Sequence, residues 1–163
     1  MTKAVSNTSP LLYLYRIDAI DLLPKLFEEV WISEAVKDEL LTGRNKGYSV
    51  PDPKDYKWLH ILNPQSMPSE WLALDLGAGE ISAMALALEN REHVIILDDM
   101  LARRTAQAAS LNVWGTLKVL LQAKSDGFIE HVEPFINHLT NAGMWVSEDI
   151  KQRILILAGE SKR

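Results

Sequence analysis

The stretch that most limits the folds open to this chain is Val94-Ile95-Ile96-Leu97-Asp98-Asp99. Four apolar residues, three of them β-branched, run straight into two adjacent carboxylates. A short run that is apolar at every position suits a strand of a parallel sheet, covered by helices on both faces. Open α/β sheets bind their ligands outside the carboxyl ends of the strands. Two carboxylates held close there repel each other unless positive charge sits with them. A hard dication, Mg²⁺ or Mn²⁺, takes oxygen ligands and meets that need. The pair also has a plainer use, because Asp98 or Asp99 can cap the helix that follows. On this segment alone both uses stay open.

The chain has 163 residues, which suits one domain with a sizeable core. We expect a single domain over 1–163, with an α/β core over about 1–124 and a helical extension over about 125–163. It contains no cysteine, so disulfides, thiolate metal sites and cysteine nucleophiles are excluded. Residues Met1 to Ser6 lack the apolar core of a signal peptide, and no run of 18 apolar residues occurs. Both features fit a cytoplasmic protein without a membrane segment. The formal charge of −5 argues against a protein that coats nucleic acid through bulk electrostatics. It leaves room for an enzyme acting on nucleic acid, because metal-binding acids make the net charge negative while local basic residues hold phosphates.

Strand and helix signals alternate along the chain. Lys3 to Ser6 is a strand candidate, and Thr8 or Ser9 can cap a helix with Pro10 in its first turn. Asp18 is the expected cap of a second short helix. Glu29 to Ile32 reads as the second strand, followed by a helix over Glu34 to Leu41 that Ser33 caps and Gly43 ends. Residues 44–57 read as a loop, and Trp58 to Leu62 as a third strand. A helix over Glu80 to Glu89 precedes the strand His93 to Leu97. Helix Asp99 to Ala109, strand Asn112 to Trp114 and helix Leu117 to Lys124 come next. Val132 to Leu139 and Asp149 to Leu157, the latter capped by Ser147, are two further helices. This order predicts an α/β three-layer sandwich with a mostly parallel central sheet and extra C-terminal helices.

Four places now carry an acid or amide near a strand end or helix start: Asn7, Glu39, Glu80, and Asp98 with Asp99. Glu39 lies beside the apolar stripe of its helix, so it also reads as a solvated helix residue. Glu80 is favoured at a helix N-terminus with or without a cation. Gly77-Ala78-Gly79 lacks the preceding strand that a dinucleotide site requires, so those glycines are read as a tight turn. Acids converging from several strand ends are what a metal-dependent nuclease needs, since no single element can surround a cation.

These segments together resemble a known family. Val5-Ser6-Asn7-Thr8-Ser9-Pro10-Leu11, Glu39-Leu40-Leu41-Thr42-Gly43, Gly77-Ala78-Gly79-Glu80, Leu97-Asp98-Asp99 and Gly115-Thr116-Leu117 look like the PIN domain superfamily. More closely, the chain resembles a prokaryotic PIN-like branch described as a domain of unknown function. The resemblance covers nearly the whole chain. It implies a Mg²⁺- or Mn²⁺-dependent endoribonuclease acting on RNA phosphodiesters, of the kind found as toxins in VapC-type toxin–antitoxin pairs. It also implies a small antitoxin protein as partner and a homodimer. The family's four acid positions fall on Asn7, Glu39, Glu80 and Asp99, with Asp98 as the neighbour of the last. The resemblance thus makes Asn7, Glu39, Glu80 and Asp99 the catalytic set and adds Asp98 to the metal ligands. Asn7 departs from the pattern: an amide oxygen can ligate a hard cation but brings no charge. Asp98 is expected to supply the missing charge.

Substrate contacts fall on Thr8, Ser9, Arg103 and Thr116. Thr8 and Ser9 can bond to a metal's water or cap a helix, and Arg103 and Arg104 can meet phosphate or remain surface charges. Thr116 can help hold phosphate at a helix N-terminus. The alternative function is a PIN-like binding module with weak or no catalysis that acts through a protein partner, with some of Trp31, Trp58, Trp71, Trp114 and Trp145 as interface anchors. For Trp31 and Trp114, on strands, core packing is the expectation. A receiver-like phosphotransfer domain needs a further Asp and a Lys at strand ends that the sequence does not supply.

Overall fold

The structure is a computed structural model that describes residues 1–161. Its sheet is parallel throughout, with five strands: β1 (Ala4–Ser6), β2 (Val30–Ile32), β3 (Leu59–Ile61), β4 (Val94–Ile96) and β5 (Asn112–Trp114). The spatial order is β3-β2-β1-β4-β5. The chain runs outward from β1 to β3, then returns to the other side of β1 for β4 and β5. The order therefore reverses between β1 and β4, and the carboxyl ends of these two strands frame the crevice where such sheets place their ligands.

The period-2 alternation of the strands divides the core into two layers. Ala4, Val30, Ile32, Val94 and Ile96 face one helical layer, while Val5, Ile95 and Leu97 face the other. The first layer is built by α1 (Thr8–Arg16), α2 (Leu22–Leu26), α3 (Glu34–Asn45), α6 (Thr116–Ser125), α7 (Glu133–Asn141) and α8 (Glu148–Leu157). The second is built by α4 (Ala78–Leu88) and α5 (Met100–Ala108). This is the three-layer α/β sandwich that the sequence predicts, and its C-terminal helices add Ile136, Leu139 and Leu155 to the first core. Each fully buried aliphatic side chain, such as Ile95 or Leu97, contributes roughly 1.5–3 kcal/mol relative to exposure.

Several local expectations are corrected. Asp18 does not cap α2: it adopts φ 57°, the left-handed conformation that Asp tolerates, and Asp21 precedes the helix instead. Gly43 does not end α3, which continues to Asn45; Gly47, at φ 86°, supplies the left-handed turn after Lys46. Residues 44–57 are thus less of a loop than expected, and Pro53–Asp55 forms a 3₁₀ turn within them. The helix expected from Glu80 begins at Ala78, because Gly77 takes the extended N-cap conformation. Ser33 and Ser147 cap α3 and α8 as the sequence suggests, accepting from Val36 N (3.2 Å) and Ile150 N (3.1 Å).

Candidate metal centre

Parallel pairing sets Ser6 beside Ile96, so Asn7 leaves β1 next to Leu97, just before the Asp98-Asp99 corner. Asn7 N donates to Ile96 O at 3.1 Å. The residue is only 4% exposed, and among the described residues its Oδ1 has no hydrogen-bond partner. Asn7, not Thr8 or Ser9, holds the N-cap position of α1, yet its side chain makes no capping bond. A buried amide oxygen without a donor carries a desolvation cost, and a cation or a cation's water is a natural partner for it.

Thr8 has a different task from capping. Its hydroxyl donates to Glu39 Oε2 across 31 residues of sequence. The other Glu39 oxygen, Oε1, accepts from Gly79 N at 3.1 Å. Glu39 is therefore tied to the end of β1 and to the first turn of α4, and is not merely a solvated helix residue. Gly79 makes this possible: a Cβ there would lie 2.6 Å from Glu39 Oε2. A hydroxyl pair braces the same junction, since Ser33 Oγ and Ser82 Oγ lie 2.6 Å apart and Ser82 Oγ donates to Gly79 O at 3.1 Å.

Glu80, next along α4, accepts from Gly77 N at 2.9 Å and so caps its own helix. Its carboxyl is nonetheless held above the usual range. Burial is the chief cause, the Gly77 N–H opposes it, and the negative charges of Asp99 and Glu39 add to the rise. Glu80 on α4 thus feels the charges of acids from α3 and from the end of β4 at this crevice. Asp99 also answers the question its sequence left open. It caps α5 by accepting from Ala102 N at 2.9 Å, and it does so with Oδ2 alone.

Asp98 points elsewhere. Its Oδ1 accepts from Thr116 N at 2.8 Å and its Oδ2 from Thr116 Oγ1 at 2.7 Å. Arg103 Nη1 donates to Leu97 O at 2.9 Å, which draws its guanidinium into the protein and away from the role of a plain surface charge. Thr116, expected to help hold phosphate at a helix N-terminus, directs both its N–H and its hydroxyl to Asp98. Ser9 sits half-buried in the first turn of α1. Sequence reasoning read Gly79 as part of a tight turn and Gly115 only as part of a motif, and missed the close approaches both allow and the Ser33–Ser82 pair. The spacing Gly-Ala-Gly-Glu was the available signal for the first, since only a residue without Cβ lets Glu39 approach.

The convergence is looser than a closed cage. Among the described residues, no group of three His, Cys, Asp or Glu side chains is arranged to hold a metal ion. The donor chemistry still suits a hard divalent cation, because every candidate donor is an oxygen. Mg²⁺ usually keeps several waters and uses one or two carboxylates rather than an all-protein cage. Asn7, Glu39, Glu80 and Asp99 would hold such an ion.

Fold and site together define an open, all-parallel α/β protein with carboxylates gathered at its topological switch point. The sequence matches the family model DUF3368, a PIN domain, over residues 3–160, and the chain belongs to this family. No curated protein matches it. Among solved structures it is similar to a PilT N-terminus domain protein from the hyperthermophilic archaeon Sulfolobus solfataricus P2. The two share 15% identity and a TM-score of 0.55, covering 75% of this chain and 93% of the other. At that identity the likeness concerns the fold. No helix among the described residues is long and apolar enough to cross a membrane.

Proposed function

We propose that this PIN domain is a Mg²⁺- or Mn²⁺-dependent endoribonuclease that hydrolyses RNA phosphodiesters, acting as the toxin of a toxin–antitoxin pair with a small protein as its antitoxin. The observation that carries the reading is the coupling of Glu80 to Asp99 and Glu39 beside the unpartnered Asn7 oxygen. A carboxyl whose proton affinity is raised by burial and by two neighbouring acids is poised to take up positive charge. A bound dication supplies Lewis acidity and lowers the pKa of water. The chain's own groups do the rest. Glu39, Glu80 and Asp99 fix the position of the charge. Asn7 Oδ1 orients water without adding charge. The Thr8 hydroxyl and Gly79 N–H keep Glu39 from swinging into solvent.

Incubation of the purified protein with a mixed RNA pool, with and without Mn²⁺, tests the reading. Cleavage is expected only with Mn²⁺, and Asp99→Ala should abolish it. Equal cleavage by both proteins would assign the activity to a contaminant. The neutral Asn7 favours a second reading, a binding module with weak catalysis. Mn²⁺ binding without cleavage of any RNA would support that one.

A further inference from the structure

The two adjacent carboxylates that end β4 divide their work. We propose that Asp98 is a positioning residue that fastens α6 to the end of β4 and stays out of the cation's shell, so that without RNA the site takes a single divalent ion, held largely through its waters among Glu39, Glu80 and Asp99. This rests on the metal-site reading above and specifies which acids belong to it.

Three observations carry the inference. Both Asp98 oxygens are already engaged by one residue, Thr116, at 2.8 and 2.7 Å. The helix that begins at Thr116 has Gly115 at its N-cap, which has no side chain to satisfy the first N–H groups. Asp98 performs that capping from 18 residues upstream, and its negative charge is favourable at the helix N-terminus. The arrangement is also closely built on its far side. A Cβ on Gly115 would stand 3.2 Å from Asp98 Oδ1 and 2.7 Å from Arg103 Nη1, so glycine there allows both groups to reach the corner. Arg103 in turn grips Leu97 O, the carbonyl directly before Asp98. The Leu97-Asp98-Asp99 corner is therefore held from α5 and α6, while Asp99 caps α5 and its charge is felt by Glu80.

Charge then sets the number of ions. Asn7 is neutral, and with Asp98 withdrawn the crevice offers three carboxylates, Glu39, Glu80 and Asp99. Two dications would leave net positive charge there until phosphate arrived. One dication leaves a single negative charge, whereas a second would have to enter against the first and reverse the sign of the crevice; the Asn7 amide completes the oxygen set of the one ion.

The test is Mn²⁺ titration of the RNA-free full chain, followed by the electron paramagnetic resonance of free Mn²⁺, alongside thermal melting. The unaltered protein is expected to bind one Mn²⁺. Asp98→Asn keeps an acceptor for Thr116 N, and should bind Mn²⁺ within about threefold of the unaltered affinity while melting lower. Asp99→Asn should weaken binding by about tenfold or more. Thr116→Val should lower the melting temperature without changing the Mn²⁺ count, and Thr116→Ser should restore it. Saturation at two Mn²⁺, or a loss of affinity in Asp98→Asn as large as in Asp99→Asn, overturns the proposal. If Asp98→Asn does not fold, the same loss in Thr116→Val overturns it. Failure of the unaltered protein to bind Mn²⁺ at all defeats the metal-site reading itself, a result distinct from the other two.

Discussion

Gly79→Ala separates the architecture of the site from the stability of the fold. The new Cβ would lie 2.6 Å from Glu39 Oε2 and 2.7 Å from Oε1, about 0.8 Å inside the 3.4 Å at which ordinary contact begins. Gly79 does not adopt a positive φ, so alanine suits the backbone. In the helix it gains roughly 0.5–1 kcal/mol over glycine. The carboxylate it displaces is the far end of an exposed, flexible side chain. Moving that end aside loses its hydrogen bond from Gly79 N, a net contribution of about 0.5–1.5 kcal/mol. The two effects nearly cancel, and the melting temperature should stay within about 3 °C of the unaltered protein. The site has no such compensation. Displacing a functional group by about 1 Å can cost on the order of 10²-fold in rate. Initial rates on a fluorogenic RNA oligonucleotide with saturating Mn²⁺ should therefore fall by about that factor, matching Glu39→Ala. Full activity in Gly79→Ala would refute the placement of Glu39 in the working site. A large fall in melting temperature would show that the backbone, and not the side chain, absorbs the clash.

Asn7→Asp should tighten Mn²⁺ binding, measured by calorimetry, while lowering the metal-free melting temperature by a few degrees, because it adds a buried charge to a crevice already rich in acids; affinity unchanged or weaker would remove charge as the reason Asn7 matters. Glu80 keeps its proton in the folded state above the 4.5 at which it leaves the unfolded chain, so stability falls as pH rises through that raised value. Metal-free Glu80→Gln should escape this loss and melt above the unaltered protein at neutral pH, and saturating Mn²⁺ should reverse the order; parallel melting curves across pH would contradict it. His93 lies at the opposite end of β4, 4% exposed and 4.4 Å from the Trp31 ring, and burial holds its pKa below the ordinary 6.5. The unfolded chain takes up that proton first, so stability is lost as pH falls below 6.5. His93→Phe should flatten that slope in melting experiments between neutral and mildly acid pH, and an unchanged slope would assign it to other groups.

Apolar runs made the sheet legible. A strand three residues long and buried on both faces, such as Val94–Ile96, leaves little else for the chain to do there, and helix caps such as Ser33 announce themselves by residue type. Helix ends were harder to read. Gly43 looked like a stop, but Tyr48 and Val50 fold back over it and the helix runs on to a second glycine. Packing decided between the two, and packing is not written in a window of sequence. In the site, residue types were legible and partnerships were not. Asp98 and Asp99 are equivalent by sequence, and what distinguishes them is Thr116, brought to Asp98 by the neighbouring strand β5. The Thr8–Glu39 bond likewise exists only because α1 and α3 pack side by side. The surviving aromatic outlier is Trp145, 85% exposed, whereas Trp114 packs 5.3 Å from Phe27 and Trp71 is buried.

A crystal soaked in Mn²⁺ and measured at the manganese absorption edge addresses the central claim most directly. Anomalous density for one ion is expected in the crevice between β1 and β4, bordered by Asn7, Glu39, Glu80 and Asp99, with Asp98 still turned to Thr116. An empty crevice at saturating Mn²⁺, with those carboxylates unmoved and facing water, would contradict it.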